Sequence, residues 1–241
     1  MAKKRLRFAY LVLEEHPWGR AMLRQLLERG HRPGLIIQEV SAVGDEERQK
    51  FITRMAGQPL APPIAEQVEG LKLRLEAVGN HNDLACLALL DEYRPELVVL
   101  GGTRILRKHL LEFPAPFINA HPGLLPWLRG SASVGWALYL NQPIGATVHF
   151  IDTGIDTGDI ILRRELPVTR GDTYESLNYR VAELAGLLMA EVLDMFLHGE
   201  VPHEQQDSSV GQTYKVIPDD LLAQAKARLA EGQYGHYAET A

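Results

Sequence analysis

Short, uninterrupted apolar runs alternate with segments of helical periodicity along the first part of the chain. The runs occupy positions 6–13, 35–40 and 96–101 and are bounded by charged residues, which is typical of strands buried on both faces. Helical patterns lie between them: one begins at Pro17 and ends near a capping Gly30, and two more lie at 45–56 and 82–93. Alternation at this spacing is typical of βαβ units, so we predict an α/β chain with an open, mostly parallel sheet flanked by helices.

The later part of the chain continues this pattern with two more strands and a long helix. We predict the strands at 144–151 and 160–166, on either side of a loop rich in Gly and Asp. Asp172 and Glu175 can form a capping box at the start of the long helix, whose apolar residues recur along one face. The prediction is a Rossmann-like domain over residues 1–200.

The remainder, residues 201–241, is predicted to be a short C-terminal extension. It shows a strand pattern at 212–216 and a helical pattern at 219–230. The extension could cap a ligand pocket, pack on the core or form a homodimer interface, and the sequence leaves these three open.

Charge and cysteine content limit the environment and the partners of the chain. Its 241 residues carry 25 Lys and Arg against 31 Asp and Glu, a formal charge of −6, which argues against nucleic-acid and anionic-membrane surfaces. The single cysteine, Cys86, cannot form an internal disulfide, which fits a reducing compartment. The N-terminal apolar run is too short for a secretory signal, and no segment approaches the length of a membrane span. We therefore expect a cytoplasmic protein that binds neither membrane nor nucleic acid.

The loop after the first predicted strand lacks the features that bind a dinucleotide. Such a loop needs several glycines so that the backbone can approach a pyrophosphate at a helix N-terminus. Here it contains Glu14, Glu15 and the single glycine Gly19. Because two carboxylates repel phosphate, neither NAD nor a phosphate-bearing substrate is expected at this loop. The two glutamates are either a solvated turn or a contact for a cationic group of a substrate.

Polar residues suited to proton transfer occur in two later loops. The first loop holds Asn119 and His121, and the second holds Asp156. Both loops border the same edge of the predicted sheet, so an amide, an imidazole and a carboxylate should meet there. An imidazole passes protons near pH 7, an amide NH₂ donates to a developing oxyanion, and a carboxylate favours the charged imidazole.

These segments resemble the catalytic core of the 10-formyltetrahydrofolate-dependent formyltransferases, a family that includes glycinamide ribonucleotide, methionyl-tRNA and sugar formyltransferases. The resemblance rests on an Asn-x-His-Pro-x-Leu-Leu-Pro loop at 119–126 and on the spacing of His149 and Asp156. A weaker match is Gly-Gly-Thr-Arg-Ile-Leu at 101–106. The resemblance implies an enzyme that transfers a formyl group from 10-formyltetrahydrofolate to an amine.

The resemblance also implies roles for individual residues. Asn119 and His121 would bind the formyl oxygen as it becomes an oxyanion, and His121 and Asp156 would move a proton from the attacking amine to the departing folate nitrogen. Six residues would line the pterin pocket of the co-substrate 10-formyltetrahydrofolate, namely Thr103, Arg104, Ile105, Leu106, Asp152 and Ile155. No metal is expected, since the Asp-rich loop lacks the ligand order of a calcium site.

Two side chains, those of His149 and Arg104, each allow two interpretations. His149 could shape the site or be a hydrogen-bonded residue of its wall. Arg104 could bind the charged tail of the folate or form a surface salt bridge. The resemblance also suggests a cis peptide bond between Leu125 and Pro126, since cis bonds are essentially confined to proline.

The acceptor is predicted by elimination within the family. Glycinamide ribonucleotide formyltransferases have a glycine-rich phosphate cradle where this chain has Glu14 and Glu15. Methionyl-tRNA formyltransferases carry a sizeable basic C-terminal domain, for which residues 201–241 are too few, and the chain begins at its first strand without the front domain of formyltetrahydrofolate hydrolases. We therefore expect a small-molecule amine as acceptor. Hydrolysis of 10-formyltetrahydrofolate and a catalytically silent folate-binding module are the alternatives.

Overall fold

The computed structural model describes residues 5–207 and 209–238 of the chain. Its strands are β1 Phe8–Leu13, β2 Leu35–Glu39, β3 Arg74–Val78, β4 Leu97–Leu100, β5 Phe117–His121, β6 Leu128–Gly130, β7 Gly145–Phe150, β8 Ile160–Glu165 and β9 Gln212–Tyr214. Its helices are α1 Pro17–Glu28, α2 Ala42–Arg54, α3 Ile64–Gln67, α4 Leu84–Tyr93, α5 Lys108–Leu111, α6 Ser133–Leu140, α7 Tyr174–His198 and α8 Asp219–Ala230.

Seven strands form one central sheet in the order β3-β2-β1-β4-β5-β7-β8. The strands from β3 to β5 in that order run parallel, whereas β7 is antiparallel to β5 and β8 is antiparallel to β7. The predicted fold class, an open and mostly parallel α/β sheet of Rossmann-like form, is confirmed. The strand order reverses between β1 and β4, and in such sheets this is the point where ligands bind, at the carboxyl ends of the strands.

Several elements were not predicted, among them β3 and α6. β3 is the edge strand of the sheet and alternates between half-buried and exposed residues, so it lacks the apolar run that marks the central strands. α6 is apolar almost throughout, and its sequence therefore has no amphipathic period. The start of α2 also differs, because the Ser41 hydroxyl caps the helix by accepting the Gly44 N–H at 3.1 Å.

Helix α7 packs on α1 and on β7 through a continuous stripe of buried residues. The capping box predicted at Asp172 and Glu175 is wrong by one residue, since the Thr173 hydroxyl accepts the Ser176 N–H at 3.1 Å and the Ser176 hydroxyl accepts the Thr173 N–H at 2.9 Å. Neither α7 nor any other helix of the described residues is long and apolar enough to cross a membrane.

The residues after α7 return to the sheet. The main chain of Glu204 exchanges two hydrogen bonds with Ile160, the first residue of β8. Further on, β9 pairs in parallel with β6, and α8 packs on α6. The division of the chain at residue 200 stays a prediction, as does a homodimer.

Candidate active site

The carboxyl ends of the parallel strands border a cavity of about 260 Å³. Asn119 and Asp156 line this cavity. It is also lined by all six residues predicted to contact the pterin: Thr103, Arg104, Ile105, Leu106, Asp152 and Ile155. His121 is buried, with 2% of its surface exposed, and meets Asp156 instead. Folding therefore brings all of the predicted site residues to one place.

His121 is the last residue of β5, and its ring is held on both sides. Its Nε2–H donates to the Leu128 carbonyl oxygen at 2.7 Å, with the Ser133 hydroxyl oxygen 3.2 Å from the same nitrogen. A carbonyl oxygen only accepts, so Nε2 carries a proton. On the other side, Nδ1 lies 3.2 Å from Oδ2 of Asp156. The ring is therefore oriented with Nδ1 toward the Asp156 carboxylate.

Asp156 lies in the loop between β7 and β8, in a left-handed backbone conformation with φ of 54°. Its Oδ2 accepts the Gly130 N–H at 2.8 Å. Its Oδ1 lies 3.6 Å from Nε2 of His149. The carboxylate thus lies between the rings of His121 and His149. Of these three side chains, it is the one that lines the cavity.

His149 belongs to β7 and is almost fully buried. Its Nδ1–H donates to the Phe150 carbonyl oxygen at 2.8 Å, so the neutral ring leaves Nε2 without a proton. Burial is the main cause that lowers the pKa of His149 to about 4, against the opposing effect of the Asp156 charge. The ring is therefore neutral near pH 7. It does not line the cavity itself, and it lies 3.6 Å from the Asp156 carboxylate that does.

Asn119 lies two residues before His121, on the same face of β5. Its side chain is half-buried, and no hydrogen bond to its amide group is found among residues 5–207 and 209–238. The amide can thus donate to a ligand in the cavity.

In the loop that follows β5, the Leu125–Pro126 peptide bond is cis, as the resemblance suggested.

Arg104 is bound to a carboxylate that is completely buried. Its Nε donates to both oxygens of Glu39 at 2.8 and 3.0 Å, and Glu39 has 0% exposure. Burial alone raises the pKa of Glu39, but hydrogen bonds from Arg104, from the His81 N–H and from Ser41 together lower it below its usual range. Arg104 is thus not in a surface salt bridge, and its guanidinium ties the loop after β4 to the end of β2.

The two glutamates of the first loop contact other parts of the protein. Glu15 accepts the Ile64 N–H at 3.0 Å and lies 3.5 Å from Arg20. Glu14 lies 3.6 Å from Arg48. Both carboxylates therefore have cationic or N–H partners within the chain. The two glutamates thus do not simply form a turn that contacts solvent alone.

An aromatic wall of the cavity was not predicted. His16, Trp18 and Phe51 line the cavity, and the rings of His16 and Phe51 lie 4.4 Å apart, edge to face. Burial, aided by the charges of Arg54 and Arg48, lowers the pKa of His16 to about 3. The sequence contained no signal for this wall, since Phe51 belongs to a helix that only the tertiary fold brings over the first loop.

The two buried histidines should make the free energy of unfolding decrease below about pH 6.5. In the unfolded chain both rings bind a proton near that pH, whereas in the folded chain His149 and His16 stay neutral down to about 4 and 3. Stability is therefore fully present above pH 6.5 and declines on acidification, by about 1 kcal/mol per pH unit for each ring.

Urea denaturation between pH 7 and 5 checks this expectation. The variant His149→Gln should show a shallower decline of unfolding free energy with falling pH than the wild type. The matched control His198→Gln changes a ring on the exposed end of α7 and should keep the wild-type slope. Equal slopes for the wild type and His149→Gln would contradict the prediction.

Comparison with known proteins finds one family across most of the chain. A family model described as formyl transferase matches residues 6–193. The chain is 32% identical over 197 residues to the methionyl-tRNA formyltransferase of Citrifermentans bemidjiense, an alignment that covers 78% of this chain and 57% of that protein. The chain thus spans a little over half the length of this curated relative.

Solved structures share the fold at lower sequence identity. A sugar N-formyltransferase from Shewanella sp FDAARGOS_354 superposes with a TM-score of 0.64 at 19% identity, covering 93% of this chain and 87% of that chain. The formyltransferase PseJ from Anoxybacillus kamchatkensis, in complex with UDP-4,6-dideoxy-4-formamido-L-AltNAc and tetrahydrofolate, has a TM-score of 0.53 at 20% identity, covering 87% of this chain and 86% of that chain. At such identities the likeness shows a common fold.

Proposed function

The chain belongs to the formyl transferase family, and from this premise we propose that it transfers a formyl group from 10-formyltetrahydrofolate to an amine. The observation that carries the proposal is the contact of Asp156 with His121 at a cavity that Asn119 also lines. These are the amide, imidazole and carboxylate that the chemistry of formyl transfer requires.

In this mechanism Asn119 and His121 act on the formyl oxygen. When the amine nitrogen bonds to the formyl carbon, the carbonyl electron pair moves to the oxygen, and the Asn119 NH₂ donates a hydrogen bond to it. One such donor lowers the barrier by roughly 3–4 kcal/mol. His121 contributes positive charge at this stage, when Asp156 passes the amine proton to its Nδ1 across their 3.2 Å contact.

Asp156 and His121 also manage the proton. Asp156 accepts the proton that the amine nitrogen loses as it bonds to carbon, and the pair returns a proton to the folate nitrogen as the carbon–nitrogen bond to the donor breaks. The buried His121 Nε2–H bond to Leu128 keeps the other ring nitrogen turned to Asp156. Positioned proton transfer of this kind contributes about 10²–10⁴-fold to the rate.

The side chains that line the cavity are chemically suited to a folate donor. Leu13, Leu100 and Leu106 provide apolar walls, against which a flat pterin ring can pack. The related fold of PseJ was solved with tetrahydrofolate, which supports the same donor here. We propose that the loops 103–106 and 152–155 hold the pterin, chiefly through backbone groups, because the Arg104 side chain already binds Glu39.

For the acceptor we propose a small-molecule amine without a phosphate near its amino group. The start of α1 supports this, because Pro17 removes an N–H from the helix N-terminus and so leaves one donor fewer for a phosphate there. A second candidate is the amino group of an aminoacyl-tRNA, since the relative at 32% identity is a methionyl-tRNA formyltransferase. That relative weakens the sequence-based expectation that nucleic acid is no partner.

A single assay separates these functions. The protein is incubated with 10-formyltetrahydrofolate, and tetrahydrofolate release is followed by absorbance with a panel of amino sugars and amino acids, and with methionyl-tRNA. Turnover that depends on one amine class identifies the acceptor. Equal turnover without any amine would instead make the protein a hydrolase, and donor binding without turnover would make it a binding module.

Asn119→Ala is expected to lower kcat by about 10²-fold, because it removes a donor to the developing oxyanion and leaves the neighbouring residues in place. The KM for the donor should change little. Circular dichroism and a thermal melt check that the variant is folded, as expected because Asn119 is half-buried and its side-chain amide makes no hydrogen bond within the described residues. A kcat within two-fold of the wild type would remove Asn119 from the mechanism.

A further inference from the structure

The loop that carries Asp156 is exposed, and its own hydrogen bonds include those that Asp152 Oδ1 accepts from the Gly154 N–H at 2.9 Å and the Thr157 hydroxyl at 2.6 Å. Residues 152–155 are exposed, and Asp156 has a left-handed φ of 54°, which a residue with a side chain rarely adopts. Exposed segments with little packing open locally more readily than core strands. The position of the Asp156 carboxylate beside His121 therefore depends on the hydrogen bonds that hold this loop.

Gln206 provides two of these hydrogen bonds. Its Nε2 donates to the carbonyl oxygens of Asp156 at 2.9 Å and of Gly158 at 2.7 Å. One NH₂ group thus holds the main chain on both sides of Thr157 and fixes the peptide plane that follows Asp156. No other donor to these two oxygens is found in the part of the chain that the structure describes.

The segment around Gln206 is anchored to the strands that flank the loop. The main chain of Glu204 exchanges hydrogen bonds of 2.8 and 3.0 Å with Ile160, and its carboxylate lies 2.9 Å from Arg163. The His203 ring stacks on Phe150 with 4.4 Å between ring centres. Because these partners belong to β7 and β8, Gln206 holds the loop against a rigid element.

Strand β9, which follows Gln206 in the chain, supports the hydrogen bond between Gly130 and the Asp156 carboxylate. The Gly130 N–H that binds its Oδ2 belongs to β6, which pairs with β9 opposite Tyr214. The approach is close, since a Cβ on Gly130 would lie 2.2 Å from the Tyr214 carbonyl oxygen. Residues beyond α7 therefore support both the main chain and the carboxylate of Asp156.

We propose that Gln206 is a positioning residue for formyl transfer, which holds the main chain of Asp156 so that its carboxylate meets His121. The inference rests on the proposed function, because it assigns the loop geometry to proton transfer. Gln206 itself touches neither donor nor acceptor in this role and acts only through Asp156.

The variant Gln206→Glu tests the proposal at constant side-chain size. It replaces the NH₂ donor by an oxygen that faces two carbonyl oxygens, so both hydrogen bonds are lost. Small misplacements of a reacting group cost up to about 10²-fold in rate, and we expect kcat to fall by about 10- to 100-fold with a changed pH profile of kcat. The matched control Gln205→Glu makes the same change at an exposed neighbour and should keep the wild-type rate and profile.

A second measurement reports on the position of Asp156 and does not depend on turnover. The amide exchange of Gly130, followed by NMR, reports on its hydrogen bond to Asp156 and should be about 10-fold faster in Gln206→Glu than in Gln205→Glu. If the wild type shows no formyl transfer, the proposed function fails while this exchange still tests the contact. A kcat for Gln206→Glu within two-fold of the control, or an unchanged pH profile with a lowered melting temperature, would overturn the positioning role.

Discussion

Asp156→Asn is expected to lower kcat by about 10³-fold or more, while the protein stays folded. An amide has the size of a carboxylate and can still accept the Gly130 N–H, so the loop keeps its hydrogen bond. It cannot take a proton from the attacking amine, however. Because the amide oxygen then takes the place of Oδ2, the NH₂ takes the place of Oδ1 and faces the unprotonated Nε2 of His149.

Single-turnover and steady-state rates of tetrahydrofolate release measure this effect. The matched control is Asp159→Asn, which neutralises a carboxylate of the same loop; within the described residues its one hydrogen-bond partner is the exposed ring of His203. We expect the control to keep most of the wild-type kcat. A rate for Asp156→Asn near that of Asp159→Asn would show that Asp156 does not take part in proton transfer.

Arg104→Met should lower the free energy of unfolding by about 3 kcal/mol or more. Glu39 is completely buried, and among the described residues the change leaves its charge with the His81 N–H, the Ser41 hydroxyl and the His81 ring, whose Nδ1 lies 3.3 Å from Oε2. A buried carboxylate without its cation is strongly unfavourable because it has lost its hydration. Methionine fills much of the same volume, so the loss comes from the charge and not from a cavity.

Urea denaturation of single and double variants checks this expectation. Glu39→Gln combined with Arg104→Met should recover much of the loss, since no buried charge then lacks a partner. The pKa of Glu39 lies below its usual range in the wild type, so the stability from this carboxylate is present above the unfolded pKa and is lost as the pH falls through the folded one. In Arg104→Met the stability should instead rise on mild acidification, as Glu39 becomes neutral. A destabilisation of Arg104→Met below about 1 kcal/mol would contradict this account.

The elements that the sequence predicted best are those whose burial is complete. β1, β2 and β4 are buried almost throughout, so their apolar runs stand out from the charged residues that flank them. β3 could not be found in this way, because an edge strand exposes every other residue and resembles a loop in composition. The start of α7 was misplaced by one residue because Asp172 and Thr173 are both good caps, and only the backbone conformation distinguishes them.

The residues of the candidate site likewise divide into those that local motifs identify and those that only the folded structure identifies. Asn119, His121 and Asp156 were identified from local motifs, because the chemistry needs particular residue types at short spacing. Gln206 was not identified, since it lies 50 residues from Asp156 in the chain and follows no motif.

By itself, the sequence determined the central strands of the sheet, the confirmed α/β fold class and the resemblance to one enzyme family. These depend on periodicity and on short motifs, which are properties of neighbouring residues. Only the tertiary structure decided that Arg104 neutralises the buried Glu39, that His16 and Phe51 form a wall of the cavity, and that Gln206 holds the loop of Asp156. Each of these contacts joins segments far apart in the chain, and its energy depends on burial and distance, which exist only once the chain is folded.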